Sequence, residues 1–246
     1  MRFAAIADVH GNCLALEAVL ADIAELGIAE VVNLGDHVSG PLEAARTADL
    51  LIERGFPSVR GDQDRILVEL WQAGGSRRSD FRQLERRHFD WMASMPPTLR
   101  YRDEVLLCHG SPGDDAAFWL DHVADDGSVR PNGIEPIEAA AEGIDARLIL
   151  CAHTHIPRVV RLRDGRMVVN PGSVGLPGYD GKTPVPYVVE TGTPHACYVI
   201  LEGAGDSWRA TFRYVPYDNM AMADLARSKG MLVWANAIAT GWVGRD

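Results

Sequence analysis

The stretch FAAIADVHGN, residues 3–12, decides the fold, because a short apolar run ends directly in acidic and imidazole side chains. Phe3–Ala7 has the length and composition of a buried β-strand, and Asp8-Val9-His10 follows where that strand ends. Leu14–Leu26 then places apolar residues at helical spacing and closes at Gly27. A strand that passes into a helix in this way predicts the first unit of an α/β fold.

The following residues repeat this order of strand and helix. Glu30–Leu34 is predicted to be a second strand. Pro41 is predicted to open a helix that reaches Arg54, since proline is well tolerated in the first helical turn. Pro57–Arg60 is predicted to be a third short strand. The resulting βαβαβ order predicts a parallel sheet with right-handed crossover connections.

Beyond residue 64 the sequence predicts a second set of strands. Residues 111–133, rich in Gly, Asp and Pro, are predicted to form a long loop over the site. No repeat or linker divides the chain, so we interpret residues 1–246 as a single α/β domain of two stacked mixed sheets with helices outside. The remaining predicted strands are Thr98–Arg102, Glu104–Cys108, Arg147–Cys151, Val159–Arg163, Met167–Val169, Ala196–Leu201 and Trp208–Tyr214, and the remaining helices are Phe81–Met95, Glu135–Gly143 and one from about Asn219.

Composition and charge exclude several classes of protein. Of the 246 residues, 47% are hydrophobic and 24% are charged, as is ordinary for a soluble globular protein. No apolar run reaches the ~18 residues of a membrane span, and the N-terminus lacks a signal-peptide pattern, so we expect a cytoplasmic protein. The net charge of −10 argues against nucleic acid as an obligatory partner. The four cysteines show no CxxC spacing and are expected to be reduced thiols.

Six short polar motifs follow the predicted strands. Asp8 and His10 are two residues apart, as are His153 and His155, and residues two apart on an extended segment point to the same side. Any one motif is a weak signal, but their joint occurrence at strand ends predicts a metal centre. Mixed His and carboxylate ligands favour Mn, Fe, Zn or Ni over Ca or Mg. The motifs are Asp8-Val9-His10, Gly35-Asp36, Gly61-Asp62-Gln63-Asp64, His109-Gly110-Ser111, His153-Thr154-His155 and Asn170-Pro171-Gly172-Ser173.

The order of these motifs, DxH, GD, GN[HC][DE], HG and GHxH, resembles the calcineurin-like metallophosphoesterase superfamily. The GPxxA segment at residues 40–44 and the NPGSVG run at residues 170–175 resemble its small bacterial branch of phosphodiesterases and diadenosine-tetraphosphatase-like proteins. The resemblance spans residues 1–178. It implies the calcineurin-like phosphoesterase fold, a four-layer α-β-β-α sandwich.

The resemblance also implies a ligand set and a reaction. Two divalent transition metal ions per chain are expected, with Asp36 bridging them. A hydroxide that bridges the ions would attack phosphorus directly, without a covalent enzyme intermediate. The expected partner is a small phosphorylated substrate, either a phosphodiester or a nucleotide. The expected ligands are Asp8, His10 and His155 for the first ion, and Asp62, His109 and His153 for the second.

The sequence departs from the family pattern at three positions. Asp62 stands where the family has Asn, and it adds a negative charge to the site. Gln63 stands where many members have a His that protonates the leaving group, and an amide cannot do so near neutral pH. Ala152 replaces the Gly of GHxH. His37 is therefore a candidate substitute acid, against the alternative of a loop histidine that faces solvent. The residues expected to act in catalysis are thus Asp36, His37, Asp62 and Gln63.

Two other functions stay open at this point. A phosphomonoesterase or protein phosphatase is one alternative, although such activities benefit most from the acid that Gln63 does not supply. A non-catalytic interaction scaffold on the same fold is the other, and it would be expected to show eroded ligands. The sequence leaves the oligomeric state open.

Overall fold

A computed structural model of the chain describes residues 1–205 and 207–244. In chain order the strands are β1 Arg2–Ile6, β2 Val31–Asn33, β3 Thr98–Tyr101, β4 Val105–Cys108, β5 Asp121–Val123, β6 Val129–Pro131, β7 Leu148–Leu150, β8 Arg158–Arg161, β9 Met167–Asn170, β10 Gly178–Gly181, β11 Tyr187–Glu190, β12 Ala196–Ala204 and β13 Ser207–Val215. The helices are α1 Cys13–Glu25, α2 Ala44–Arg54, α3 Asp62–Gln72, α4 Arg86–Ser94, α5 Ile134–Ala140, α6 Asn219–Ser228 and α7 Leu232–Thr240.

The strands form two mixed sheets and two hairpins. The first sheet has the order β13-β12-β1-β2, in which β1 is parallel to β2 and antiparallel to β12. The second has the order β3-β4-β7-β9-β8, with a parallel centre and antiparallel edges. The hairpins are β5-β6 and β10-β11. The predicted α/β class with two mixed sheets is confirmed.

The main core lies between the two sheets. Along β1, Phe3 and Ala5 point into this core, whereas Ala4 and Ile6 point to the opposite face and pack with α1. On the second sheet, Leu107 faces the same central core, whereas Leu106 faces outward to a cluster that includes residues of α5. Helices therefore cover the outer faces of both sheets, as the predicted four-layer sandwich requires. The late strands β12 and β13 belong to the same sheet as the first two strands, β1 and β2. We therefore propose that residues 1–246 form one domain.

Several predicted elements differ in extent. Pro57–Arg60 is not a strand: it forms a single parallel bridge, between Ser58 and Asn33, before the chain turns into α3. Helix α2 begins at Ala44, three residues after Pro41, because the Ala44 backbone N–H bonds to Gln83 and the segment before it lies against the site. The predicted helix at 81–95 is a 3-10 turn followed by α4.

Three further elements were missed by the sequence pattern. The predicted loop at 111–133 contains the β5-β6 hairpin, the segment after residue 177 contains β10-β11, and the C-terminal helix is in fact two, α6 and α7. The short hairpins have little apolar alternation and depend on tertiary contacts, so a periodicity argument does not detect them. All four cysteines are buried and free. Among the described residues, no helix is long and apolar enough to cross a membrane.

Candidate metal centre

Seven His and Asp side chains from the predicted motifs meet where the strands of both sheets end. Within each of two clusters, one candidate ligand atom per residue lies within 4.8 Å of the others. All of these side chains are buried except His153, which is half-buried. The first cluster consists of Asp8, His10 and His155, and the second consists of Asp36, Asp62, His109 and His153. The structure therefore brings together all seven residues that the resemblance implied as ligands.

Asp36 lies between the two clusters and presents one carboxylate oxygen to each. Its Oδ2 atom is 3.7 Å from Nε2 of His10, in the first cluster. Its Oδ1 atom is 3.5 Å from Nε2 of His109, in the second. Asp36 therefore has one carboxylate oxygen near a histidine of each cluster.

Five of the seven side chains extend from a left-handed backbone, and this corrects the expectation of extended segments. The φ angles are +54° at Asp8, +50° at His10, +54° at Asp36, +71° at His153 and +60° at His155. Residues other than glycine rarely adopt this conformation, which costs of order 1–3 kcal/mol and persists where the surroundings enforce it. The paired ligands therefore converge through tight turns at the strand ends, and not through the alternation of a strand.

Hydrogen bonds at the far nitrogen orient three of the histidines. Nδ1 of His109 donates to the Leu34 carbonyl at 2.7 Å, and Nδ1 of His155 donates to the Leu176 carbonyl, also at 2.7 Å. Nδ1 of His10 lies 2.9 Å from the Ser39 hydroxyl and 3.3 Å from its carbonyl. Because a carbonyl only accepts, Nδ1 of His109 and Nδ1 of His155 each carry a proton, and Nε2 of both rings faces the centre, the arrangement found in metal-binding histidines.

Several polar atoms at the centre have no hydrogen-bond partner among the described residues, and a bound cation would satisfy them. Nε2 of His10 and Nε2 of His155 face one another at 3.1 Å. Within the described part of the chain, Asp8 Oδ1, Asp8 Oδ2, Asp62 Oδ1 and His109 Nε2 are buried without a hydrogen-bond partner. Such groups are costly unless they are paired or coordinate a metal. The donor set therefore fits divalent transition metal ions.

Burial and the neighbouring charges act strongly on the ionisation of these groups. Burial raises the pKa of Asp8 well above its ordinary value, and burial lowers the pKa of His155 well below it. For Asp62, burial opposes ionisation, but His109 and His153 outweigh it and hold the pKa of the carboxyl well below its usual range. Bringing these carboxylates together requires compensating positive charge, which bound cations supply.

Two glycines allow the loops that carry Asp36 and Asp62 to approach closely. Gly35 has a φ of +103°, and a Cβ atom there would lie 2.5 Å from the backbone nitrogen of Gly61. A Cβ atom on Gly61 would lie 2.2 Å from Oδ1 of Asp36. The Gly-Asp pattern at both motifs thus reflects contact between the two loops.

Asp64 joins the same two loops. Its buried carboxylate accepts from the backbone nitrogens of Asp36 (2.9 Å), His37 (3.0 Å) and Gly61 (2.9 Å). It also pairs with Nδ1 of His37 at 2.7 Å. Asp64 therefore fixes the position of Asp36 without reaching the centre itself.

The structure contradicts the assignment of His37 as a proton donor to the substrate. His37 is fully buried, its Nδ1 is paired with Asp64, and its ring packs edge-on against Trp91 at 5.0 Å between centroids. It does not line the cavity at the centre. The alternative of a solvent-facing loop histidine is also wrong, because the side chain is buried and pairs with Asp64, which holds the Asp36 loop.

Gln63 lies at the centre and hydrogen-bonds to the preceding residue, Asp62. Its side-chain Nε2 donates to Oδ2 of Asp62 at 2.8 Å, and its backbone nitrogen donates to Oδ1 of Asp36 at 3.0 Å. The other oxygen of Asp62 lies 3.3 Å from Nε2 of His109 and 3.1 Å from Nδ1 of His153. Two of the three residues that depart from the family pattern, Asp62 and Gln63, are thus hydrogen-bonded to each other.

A cavity of about 480 Å³ opens above the clusters. Besides the candidate ligands and Gln63, it exposes a charged wall that includes Arg78 and Asp80 and an apolar wall that includes Tyr179, Met231 and Trp234. The sequence patterns did not identify these residues. No local signal could have done so for Trp234, because it reaches the site from α7, more than two hundred positions after the first ligand.

The comparison with protein families decides the identity. The family model for the calcineurin-like phosphoesterase superfamily domain matches residues 1–193. The chain belongs to this superfamily. It is accordingly a hydrolase of phosphoric ester bonds, from a family that uses divalent metals, and its two His/Asp clusters could hold such ions.

Solved structures show the same fold. A metallophosphoesterase from Sphaerobacter thermophilus matches with a TM-score of 0.75 and 23% identity, over 98% of this chain and 100% of the other. A hypothetical protein from Pyrococcus horikoshii matches with a TM-score of 0.73 and 18% identity, over 98% of both chains. A putative diadenosine tetraphosphatase matches with a TM-score of 0.53 and 14% identity, over 87% of this chain and 94% of the other. Among curated proteins, no relative matches this phosphoesterase.

Proposed function

We propose that this phosphoesterase hydrolyses a small phosphodiester or nucleotide with two divalent transition metal ions held in the two clusters. The observation that carries the proposal is the placement of Asp36, whose two oxygens face His10 in one cluster and His109 in the other. A single-ion site has no need of such a carboxylate. We also retain the proposal that Mn, Fe, Zn or Ni occupies the site, because its donors are imidazoles and carboxylates.

When bound, the two ions supply Lewis-acid activation of water and neutralise charge on the phosphoryl oxygens. The protein's own part is to hold the ligands at fixed positions. Asp64 sets the Asp36 loop, and the carbonyls of Leu34 and Leu176 set His109 and His155. In the overall step, a water oxygen bonds to phosphorus and releases its proton to solvent, while one ester P–O bond breaks and its electron pair leaves with the departing oxygen. The buried thiols of Cys108 and Cys151 have a pKa raised by burial, which disfavours a covalent cysteine intermediate.

The proton for the leaving group has no evident donor in this site. Gln63 is an amide hydrogen-bonded to Asp62, and His37 is buried beneath the Asp36 loop. The Tyr179 hydroxyl donates to the His153 carbonyl, and burial raises its pKa well above the ordinary value. These placements favour substrates whose leaving group departs as a stabilised anion, such as aryl phosphodiesters or the pyrophosphate bonds of nucleotides.

The proposal is tested by a panel of phosphoesters assayed after reconstitution with Mn, Fe, Zn or Ni. The panel contains an aryl phosphodiester, the matching aryl phosphomonoester, a dinucleoside polyphosphate and a phosphopeptide. Hydrolysis of the diester or the dinucleotide is expected, and Asp36→Ala should abolish it. Asp90→Ala, which removes an exposed carboxylate paired with Arg86, is the matched control and should retain full activity.

Two results would contradict the proposal. If no metal restores hydrolysis of any ester, the chain is better explained as a non-catalytic scaffold. If the phosphopeptide or the monoester is strongly preferred, the substrate class is wrong although the chemistry stands. Cytoplasmic location stays a prediction from the sequence, and the oligomeric state stays open.

A further inference from the structure

Two cavities flank the candidate centre, and they share one residue. The larger, of about 480 Å³, is lined by His10, His155 and His153 among other residues. The smaller, of about 290 Å³, is also lined by His153 and by none of the remaining candidate ligands. A phosphoryl group held beside His153 would therefore have one cavity for each of two substituents.

The larger cavity has an apolar wall to which the C-terminal part of the chain contributes Met231 and Trp234. The Trp234 ring stands edge-on to His10 at 5.7 Å between centroids, and Met231 and Leu176 line the same cavity. Trp234 also packs tightly over Gly40, where an added Cβ atom would lie 2.2 Å from the indole. Since the family model ends at residue 193, Met231 and Trp234 come from a part of the chain that the model does not match.

The smaller cavity is also aromatic. The Phe118 ring stands edge-on to His153 at 5.3 Å and to Tyr187 at 5.5 Å between centroids. His122 from β5 and the Thr183-Pro184 turn complete the lining. Its volume lies at the lower limit of the ~300–1,000 Å³ that small-molecule sites occupy, which suits a single ring.

We infer from these two cavities that the substrate is a phosphodiester with two flat apolar substituents, one in each cavity. This inference rests on the proposed function and narrows its substrate class. A diester has two organic groups on one phosphorus, whereas a monoester has one and would leave one aromatic cavity without a role. Aromatic walls bind flat rings by stacking and edge contacts, and the larger cavity has room for a nucleoside.

The test uses three substrates that share the p-nitrophenolate leaving group. They are p-nitrophenyl phosphate, methyl p-nitrophenyl phosphate and phenyl p-nitrophenyl phosphate, assayed with the metal-loaded protein. Because the leaving group is constant, differences in kcat/KM report on the second substituent alone. The phenyl diester should exceed the methyl diester by about tenfold to a hundredfold, the usual range for one stacked ring, and both should exceed the monoester.

Two truncations assign the substituents to the cavities. Trp234→Ala opens the larger cavity and Tyr187→Ala opens the smaller. One of them should lower the ratio of phenyl to methyl kcat/KM about tenfold, and the other should lower kcat/KM for both diesters alike, because it removes the contact with their common p-nitrophenyl group. The matched controls are Trp242→Ala and Tyr214→Ala, which truncate exposed aromatic residues outside both cavities and should change neither value.

Some outcomes would overturn the inference while the proposed function stands. These are a phenyl to methyl ratio near one in the wild type, a monoester that reacts as fast as the diesters, or truncations that behave like their controls. If Tyr187→Ala does not fold by circular dichroism, Ala116→Trp narrows the smaller cavity from an exposed position and should give the same change. If no p-nitrophenyl ester is hydrolysed under any metal, the proposed function itself fails and the inference falls with it.

Discussion

Nε2 of His10 faces Nε2 of His155 at 3.1 Å, and Nδ1 of His155 donates to the Leu176 carbonyl on the opposite side of its ring. A cation within reach of both Nε2 atoms would bind the two rings together. Asp8 is the third member of this cluster, with Oδ1 3.6 Å from Nε2 of His155. A bound cation should therefore stabilise this arrangement, and several measurable consequences follow from that.

Metal binding should stabilise the protein against heat. A ligand at a hundredfold excess over its Kd stabilises the folded state by about 2.7 kcal/mol, which for a chain of this size raises the melting temperature by about 5–10 °C. Calorimetry of metal-free and Mn-loaded protein measures the shift. His155→Ala should lose most of it, whereas His195→Ala, at an exposed histidine outside the centre, should retain it. An equal shift in both variants would contradict the assignment of the first cluster.

Replacement of Asp62 by Asn should raise turnover and weaken binding of the second ion. The change removes one anionic ligand, so the ions keep more positive charge to activate water and polarise the phosphoryl oxygens. The Gln63 amide that now donates to Asp62 can rotate and accept from the new amide. Steady-state rates at saturating Mn, with metal content measured in parallel, test the effect. A lower kcat with two ions still bound would show that Asp62 is adapted to this site.

The reaction rate should depend steeply on the basicity of the leaving group. Without a histidine at position 63, alkyl esters lack a proton donor and should react far more slowly than aryl esters. Gln63→His should speed the alkyl esters selectively, by up to about 10²–10⁴-fold, and so flatten a plot of log kcat/KM against leaving-group pKa. His37→Ala should leave the slope unchanged, because His37 is buried beneath the loop. A flat profile in the wild type would point to another donor.

Asp64→Asn should destabilise the protein by about 2 kcal/mol or more, because a buried carboxylate that accepts three backbone N–H groups loses its charge. Burial opposes ionisation of Asp64, but His37 and the backbone donors outweigh it and lower its pKa. A lowered pKa contributes stability above the unfolded value of about 3.9, and this stability is lost as the pH falls below it. Urea unfolding should therefore show the largest difference near neutral pH. Asp90→Asn, at an exposed pair, should change stability little.

The ligands could be predicted from the sequence because each follows an apolar strand, and the strand ends of an open sheet meet at one edge. Asp8, Asp36 and His109 satisfied that rule. The left-handed backbone at Asp8 and His10 could not be predicted, since it depends on contacts with distant segments, such as the bond from the Asp8 nitrogen to the Gly35 carbonyl. The sequence pattern predicts which candidate ligands converge, but not the turns that orient them.

The residues that line the cavities could not be predicted from the sequence, for a different reason. Trp234 reaches His10 only because α7 packs against the Gly40 segment, and Phe118 reaches His153 only through the loop before β5. Neither contact has a periodic or spacing signature. For His37 the sequence was misleading. Its position next to Asp36 favoured a catalytic role, but its side chain is buried and pairs with Asp64.

The most direct test of the account is elemental analysis of the metal-reconstituted protein after removal of unbound ions. Two clusters joined by Asp36 predict two transition metal ions per chain in the wild type. Asp36→Ala, measured in the same way, should retain fewer, because one side chain serves both ions. Two ions per chain in the wild type would support the dinuclear centre, and one ion or none after reconstitution would contradict it.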